Sequence, residues 1–406
     1  MGFRRRNETK LAMEENGSLS EIFRAFLKLG FISFGGPVAH ISYFHEEFVV
    51  KRQWLDESVF GDLLALCQFL PGPASSQMVF AIGMRRAGLP GAIVASACFT
   101  LPSAILMILF GYGISALGDL NQSGWLHGLK LAAVAVVAQA VWGMGRKLCP
   151  DVARLALGLG TATMILVYPG SLSQIAAIAI GAIFGWWLYR GEFSSQGEAA
   201  KLNFRAHAIA AACLTSFFGL LFVLPIIAAA AHSRRLNVFA SFYRAGSLVF
   251  GGGHVVLPLL QTEVVPNGWV NNEGFLAGYG AAQALPGPLF TFSAYLGTVM
   301  HPGTHAWING LWCLLAIFLP AWLLLCGTLP FWDALRKKGW MQAALRGTNA
   351  AVVGVLLSAL YTPMITQGIT APRDVGFVLV AFGMLEIGKI PAWIVVLAAA
   401  AGGHFF

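Results

Sequence analysis

Charge is what this 406-residue chain has least of: only 11% of its residues are Asp, Glu, Lys or Arg, against about 25% in a soluble globular domain. The shortage is uneven. No charged side chain occurs in 91–118, 155–189, 206–233, 274–332, 347–372 or 390–406. A membrane-spanning helix needs roughly 20 mostly apolar residues, and the run 274–332 holds at least two such lengths. An ordinary cytosolic fold is excluded. The expected class is all-α, a polytopic membrane helix bundle with the lipid bilayer as its solvent.

Other absences narrow the chemistry. The six cysteines are widely spaced and include no CxxC pair, so neither a zinc site nor a disulfide framework is indicated. There is no Walker A sequence, no HExxH and no GxSxG, which removes the motif support for ATP-driven pumping, an intramembrane metalloprotease or a serine protease. No cofactor or metal is expected, and no enzyme activity. The first residues, MGFRRRNETKLAMEENG, lack the apolar core of a cleavable signal; residues 1–19 read as a cytoplasmic tail. The net charge of +8 does not point to nucleic acid. Its excess sits in short clusters beside apolar spans, among them Arg85-Arg86, Arg146-Lys147 and Arg336-Lys337-Lys338, as the positive-inside rule produces.

What the chain does contain is a copy of itself. Phe34-Gly35-Gly36 returns as Phe250-Gly251-Gly252, 216 residues later. At the same offset Lys28 meets Arg244, Gly30 meets Gly246 and Glu47 meets Glu263. After one residue of slippage, Trp54 meets Trp269, and Gln68 through Pro71-Gly72-Pro73 meets Gln283 through Pro286-Gly287-Pro288. GLKLAAVAVV from Gly128 then resembles GTNAAVVGVL from Gly347. An ordered series of this kind marks a tandem duplication. The expected units are a first repeat at 20–190, a linker with one extra span at 191–235, and a second repeat at 236–406.

Basic clusters orient the two units oppositely. Arg85-Arg86 follows the broken helix of the first repeat, whereas Met300-His301-Pro302-Gly303 at the equivalent point has no Lys or Arg. Residues 118–124 are free of basic side chains, while their counterpart carries Arg336-Lys337-Lys338. Two inverted repeats are therefore expected, the span near 206–231 supplying the flip, with about 10–13 membrane-inserted helices in all. Arg234-Arg235 falls outside in this scheme, against the rule.

Proline and glycine interrupt helices, and backbone freed in hydrocarbon must find partners or line a wet cavity. Gly35-Gly36-Pro37, Gly251-Gly252-Gly253, Pro71-Gly72-Pro73 and Pro286-Gly287-Pro288 place four breaks at equivalent positions. Broken helices near the midplane carry the substrate sites of inverted-repeat transporters, and half-helix N-termini favour anions. Packing kinks are the bland alternative. Lys28 and Arg244 stand seven residues before their glycine pairs, two helical turns away on about the same face, as substrate cations or as snorkelling residues. Gln68, Gln283 and Ser75 can donate hydrogen bonds to an oxyanion. Glu47 and Glu263 read equally as coupling carboxylates, as partners of Lys28 and Arg244, or as interfacial caps. Asp56 is an N-cap or a gating acid, and Lys130 snorkels or lines a pore. His40 and His254 follow the glycines without aligning to each other.

FGGPVAHISYFHEEFV and WLDESVFGDLLALCQFLPGPASSQMVFAIGMRRAGLPGA closely resemble the first half of the chromate ion transporter family. FGGGHVVLPLLQTEVV with GWVNNEGFLAGYGAAQALPGP resembles its second half. The likeness covers nearly the whole chain. It implies a long, two-domain member in the bacterial inner membrane, associated with chromate efflux and with chromate or sulfate exchange. Positions that match the family motifs are Gly35, Gly36, Pro37, Pro71, Gly72, Pro73, Gly251, Gly252, Gly253, Pro286, Gly287 and Pro288. A small inorganic oxyanion is the implied partner. A general sulfate-like exchanger and an anion channel are the alternatives, and a homo-oligomer stays open.

Overall fold

The structure, a computed structural model, describes residues 17–117, 124–189, 204–250, 253–332 and 338–403. The polar tail at 1–16, most of the joint between repeats, Gly251, Gly252 and Arg336-Lys337 lie outside the described residues. The first repeat comprises α1 (Leu19–Ile32), α2 (Gly36–His45), α3 (Glu57–Phe69), α4 (Ala74–Leu117), α5 (Gly124–Leu148), α6 (Val152–Val167) and α7 (Ser171–Tyr189). The extra span α8 (Phe204–Ala230) follows. The second repeat comprises α9 (Arg234–Ser247), α10 (Val256–Val264), α11 (Asn272–Ala284), α12 (Phe292–Val299), α13 (Ala306–Thr328), α14 (Gly339–Ala359), α15 (Pro372–Glu386) and α16 (Ala392–Gly402).

Local sequence explains where these helices start. Ser18 caps α1, whose buried residues Ile22, Ala25, Phe26 and Leu29 recur at helical spacing and form one stripe. Asp56 accepts a hydrogen bond from Val59 N to cap α3, and Asn271, 215 residues on, accepts one from Gly274 N to cap α11. Among the described residues, six helices are long and apolar enough to cross a membrane. Of these, α8 is the least covered, and its Phe218, Phe222, Val223, Ile226 and Ile227 are exposed, as a helix facing lipid requires.

The repeats interlock rather than sit side by side. The α6 and α7 helices of the first repeat pack on α14 of the second, and α15 and α16 pack on α5. Small residues permit this. A Cβ at Gly128 of α5 would collide with the Ala399 carbonyl, and one at Gly347 of α14 with the Gly181 carbonyl; Ala399 and Gly181 are themselves equivalent, 218 residues apart. Close backbone approach through glycine is how apolar helices associate when lipid removes the hydrophobic drive.

Inversion follows from four contacts. Arg85 and Arg86 precede the kink at Ala87-Gly88, where the long segment 88–117 of α4 begins, about 45 Å of helix at 1.5 Å per residue. Tyr112 Oη donates to Thr304 O at 3.1 Å near the far end of that segment. The two equivalent loops therefore lie at opposite ends of one spanning helix. Helix α13 returns antiparallel to it: Gly310 abuts Ile108, while Trp322 stacks on Phe80 near the start of α4. The extra span α8 runs back against α13, its start at His207 meeting Phe331, and so delivers α9 to the Met300 end.

Candidate functional site

The four helix breaks meet crosswise. Gly287 N donates to Ser33 O at 2.8 Å, and Gly72 N donates to Val249 O at 2.7 Å. Ser33 and Val249 are equivalent residues, each just ahead of its Phe-Gly-Gly. Each Pro-Gly-Pro thus closes onto the glycine break of the other repeat, and the two junctions are symmetry mates. Gly35, Gly36, Gly72 and Gly287 all have positive φ, at +94°, +74°, +120° and +90°, a region L-residues rarely adopt.

Helix N-termini gather at these junctions. Helix α2 starts directly after Gly35 with no side-chain cap, α4 starts after Pro73, and a 3-10 turn leads from Pro288 into α12 without a side-chain cap. Uncapped first-turn N–H groups offer partial positive charge to an anion. Buried polar atoms without partners collect here too: Ser33 Oγ, His40 Nδ1, Ser76 Oγ, Gln77 Oε1 and Gln283 Nε2 make five of the nine among the described residues. Buried polar groups are normally paired, so five vacancies around two junctions suit a polar guest. His40 Nε2 lies 3.0 Å from Ser33 O; a carbonyl only accepts, so that nitrogen carries the ring proton. Ser75 is buried, Gln283 is half-buried, and Gln68 is exposed on the surface of α3. The structure does not bring Gln68 into the buried group.

The cations and carboxylates are paired. Lys28 Nζ is 3.4 Å from Glu47 Oε2, and Arg52 Nε donates to Glu47 Oε1 at 2.7 Å. Arg244 grips Glu263 with two bonds of 2.9 and 2.6 Å. Both glutamates are buried, whereas the Lys28 and Arg244 side chains are 54% and 30% exposed. Of the three readings of these carboxylates, the geometry matches that of partners to Lys28 and Arg244. Lys130 is buried on α5 with its Nζ 3.7 Å from Glu273 Oε1 of the second repeat; it does not snorkel.

Asp56 performs its capping task with a carboxylate where Asn271 uses an amide. Asp56→Asn is therefore expected to change stability by no more than about 0.5 kcal/mol, checked by thermal unfolding of the purified variant. A second cross-repeat pair, like Lys130–Glu273, is not visible in the sequence. His127 Nε2 lies 3.0 Å from Asp374 Oδ1, and Asp374 also accepts from Thr370 N, Thr370 Oγ1 and Ala371 N. The signal available was an acid at the third position of a helix that opens with proline, a placement that reads as capping. The partnership itself lies across 247 residues.

Residues 20–186 and 236–404 each match the Chromate transporter family, and together these two segments take in most of the chain. The chain belongs to the chromate transporter family. The probable chromate transport protein of Synechococcus elongatus is 27% identical over 404 residues, 96% of both chains. The chromate transport protein of Pseudomonas aeruginosa is also 27% identical, over 95% of this chain and 92% of its own length. An uncharacterized transporter of Bacillus subtilis, YwrB, is 32% identical over 125 residues, 30% of this chain and 61% of that one. No solved structure matches. Membership in the chromate transporter family supports a role in chromate transport by a multi-pass membrane protein.

Proposed function

We propose that this protein moves chromate out across the bacterial inner membrane, with sulfate competing for the same site, and that the anion binds at the crossed junctions. The observation that carries this reading is the reciprocal pair of backbone bonds from Gly72 and Gly287, which brings each Pro-Gly-Pro against the residue just ahead of the other repeat's Phe-Gly-Gly, beside the uncapped starts of α2 and of the turn into α12. A tetrahedral dianion needs many weakly positive donors arranged around it, and backbone N–H groups with the Ser33, Ser76 and Gln283 side chains supply them. The Arg85-Arg86, Arg146-Lys147 and Lys338 ends share one face, taken as cytoplasmic by the positive-inside rule.

Lys28 and Arg244 act on the substrate by exchange. In the described state Glu47 and Glu263 hold them; an arriving anion competes for the cations and loosens the ion pairs. Lys130–Glu273 couples the repeats in the same way. Rocking of one repeat against the other then exposes the junctions alternately. Labelled chromate is expected to accumulate in everted vesicles, to be displaced by excess sulfate, and to show stimulation by unlabelled substrate on the far side. Conductance without saturable counterflow would assign a channel instead.

A further inference from the structure

The duplication carries an internal control, and one pair of equivalent places differs sharply. In the first repeat the loop after the broken helix carries Arg85 and Arg86. The Arg86 guanidinium lies 3.4 Å from Glu21 on α1 and sits over the Trp54 ring at 5.1 Å. The space enclosed there is about 10 Å³, with Ile82 in its wall. Arg86 has an acidic partner and the volume is filled. In the second repeat the tryptophan is kept, as Trp269, but the residues that pair with it and fill the space are replaced. Ile82 becomes Gly297, Arg85 becomes Met300, Arg86 becomes His301, and Glu21 becomes Asn237. The basic pair moves to the start of α9, as Arg234 and Arg235. A cavity of about 400 Å³ opens, lined by Arg234, Arg235, Gly297, His301, Asn309 and Trp312 among others.

Neither arginine has an acidic partner among the described residues. Burial, with Arg234 and Arg235 added to it, lowers the His301 pKa below the ordinary histidine value, as a positive local potential does. This is also the face where basic residues are unexpected. Arg85-Arg86 and the Arg146-Lys147 end of α5 lie on the opposite side, and the positive-inside rule gives no reason for a pair here. Two uncompensated guanidiniums, with the Asn309 amide, lining a cavity of about 400 Å³ are suited to a tetrahedral oxyanion.

We propose that the Arg234–Arg235–His301 cavity is a second oxyanion site, separate from the crossed junctions, which holds a dissolved dianion at the membrane face opposite Arg85-Arg86. Clefts lined by one sign of charge raise the local concentration of counter-ions. A phosphate of a lipid headgroup has the same chemistry, and the test separates the two sources.

The probe is radiolabelled sulfate, which stays a dianion over the working pH range, bound at equilibrium to the full purified chain in nanodiscs of neutral lipid at low ionic strength. The unaltered protein is expected to show two classes of site. Arg234→Gln with Arg235→Gln is expected to weaken one class about tenfold or more and to flatten its salt dependence. Asn237→Glu, which restores the acid of the first repeat without removing an arginine, is expected to weaken the same class. Isotherms of both variants that superimpose on the unaltered protein would overturn the proposal. So would loss of the class in the unaltered protein when anionic lipid replaces neutral lipid, since a headgroup would then be the occupant. Alanine at Gly72 impairs the junctions alone and is expected to leave this class intact, so failure of the transport reading and failure of this one are told apart.

Discussion

Alanine in place of Gly72 is expected to lower chromate transport by about tenfold or more, with the protein still inserted in the membrane. Gly72 has φ +120°, and a side chain in that region costs about 1–3 kcal/mol. The added Cβ would also stand 2.9 Å from Ala321 Cβ and 3.1 Å from Gln77 Nε2. A methyl group fixed to a helix cannot rotate away, so backbone must shift, and the bond from Gly72 N to Val249 O is the contact that shift disturbs. Each ~1.4 kcal/mol lost from the state that carries substrate is a factor of ten in rate. Gly287→Ala should be milder. Its Cβ meets Ser103 Oγ at 2.9 Å, and a hydroxyl can turn to another rotamer. Gly113→Ala, with nothing within 4 Å, serves as the silent control. Initial uptake into everted vesicles, normalised to inserted protein, gives the ranking. A Gly72→Ala protein that transports as well as Gly113→Ala would remove the crossed junctions from the mechanism.

Arg244→Ala is expected to cost the most stability of any single charge removal, about 3–5 kcal/mol, a large part of the 5–15 kcal/mol typical of a folded protein. Glu263 keeps only 6% of its side chain exposed and receives two bonds from Arg244. Removing the guanidinium strands that charge. Lys28→Ala should be tolerated far better, because Arg52 still donates to Glu47 and the lysine is half in solvent. Replacing the pair together, Arg244→Gln with Glu263→Gln, should restore most of the lost stability, since no buried charge then remains unmatched. Thermal unfolding of the purified variants measures all three. Transport by the double variant then reports on the arginine itself, free of the folding defect. Equal stability of Arg244→Ala and Lys28→Ala would show that the bidentate pair contributes nothing the first repeat lacks.

Much of the architecture was legible because it depends on composition and on repetition. Runs without charge fix the spans, and the 216-residue offset pairs Lys28 with Arg244 and Glu47 with Glu263. The asymmetry of Arg85-Arg86 against Met300-His301 predicts inversion, and the ends of α4 carry it. Spacing along one helix was also readable, so Asp56 and its counterpart Asn271 stand where caps belong. What spacing could not supply was which break faces which. Spacing leaves Gly72 free to meet the glycines of its own repeat or those of the other, and only the packed structure, in which Gly72 N bonds Val249 O, decides for the other. The same limit hid His127–Asp374 and Lys130–Glu273, whose members sit in different repeats, and it left Gln68 grouped with residues it does not join.

The sequence alone therefore determined the membrane class, the duplication, the opposed orientation and the positions of the breaks, because each follows from local composition compared between two copies of one unit. Tertiary structure decided the pairing of the breaks, the neutralisation of Lys28 and Arg244 by buried glutamates, and the opening of one loop cavity where its twin is filled. Those outcomes depend on distances between segments far apart in the chain, and such distances are set only when the helices have packed.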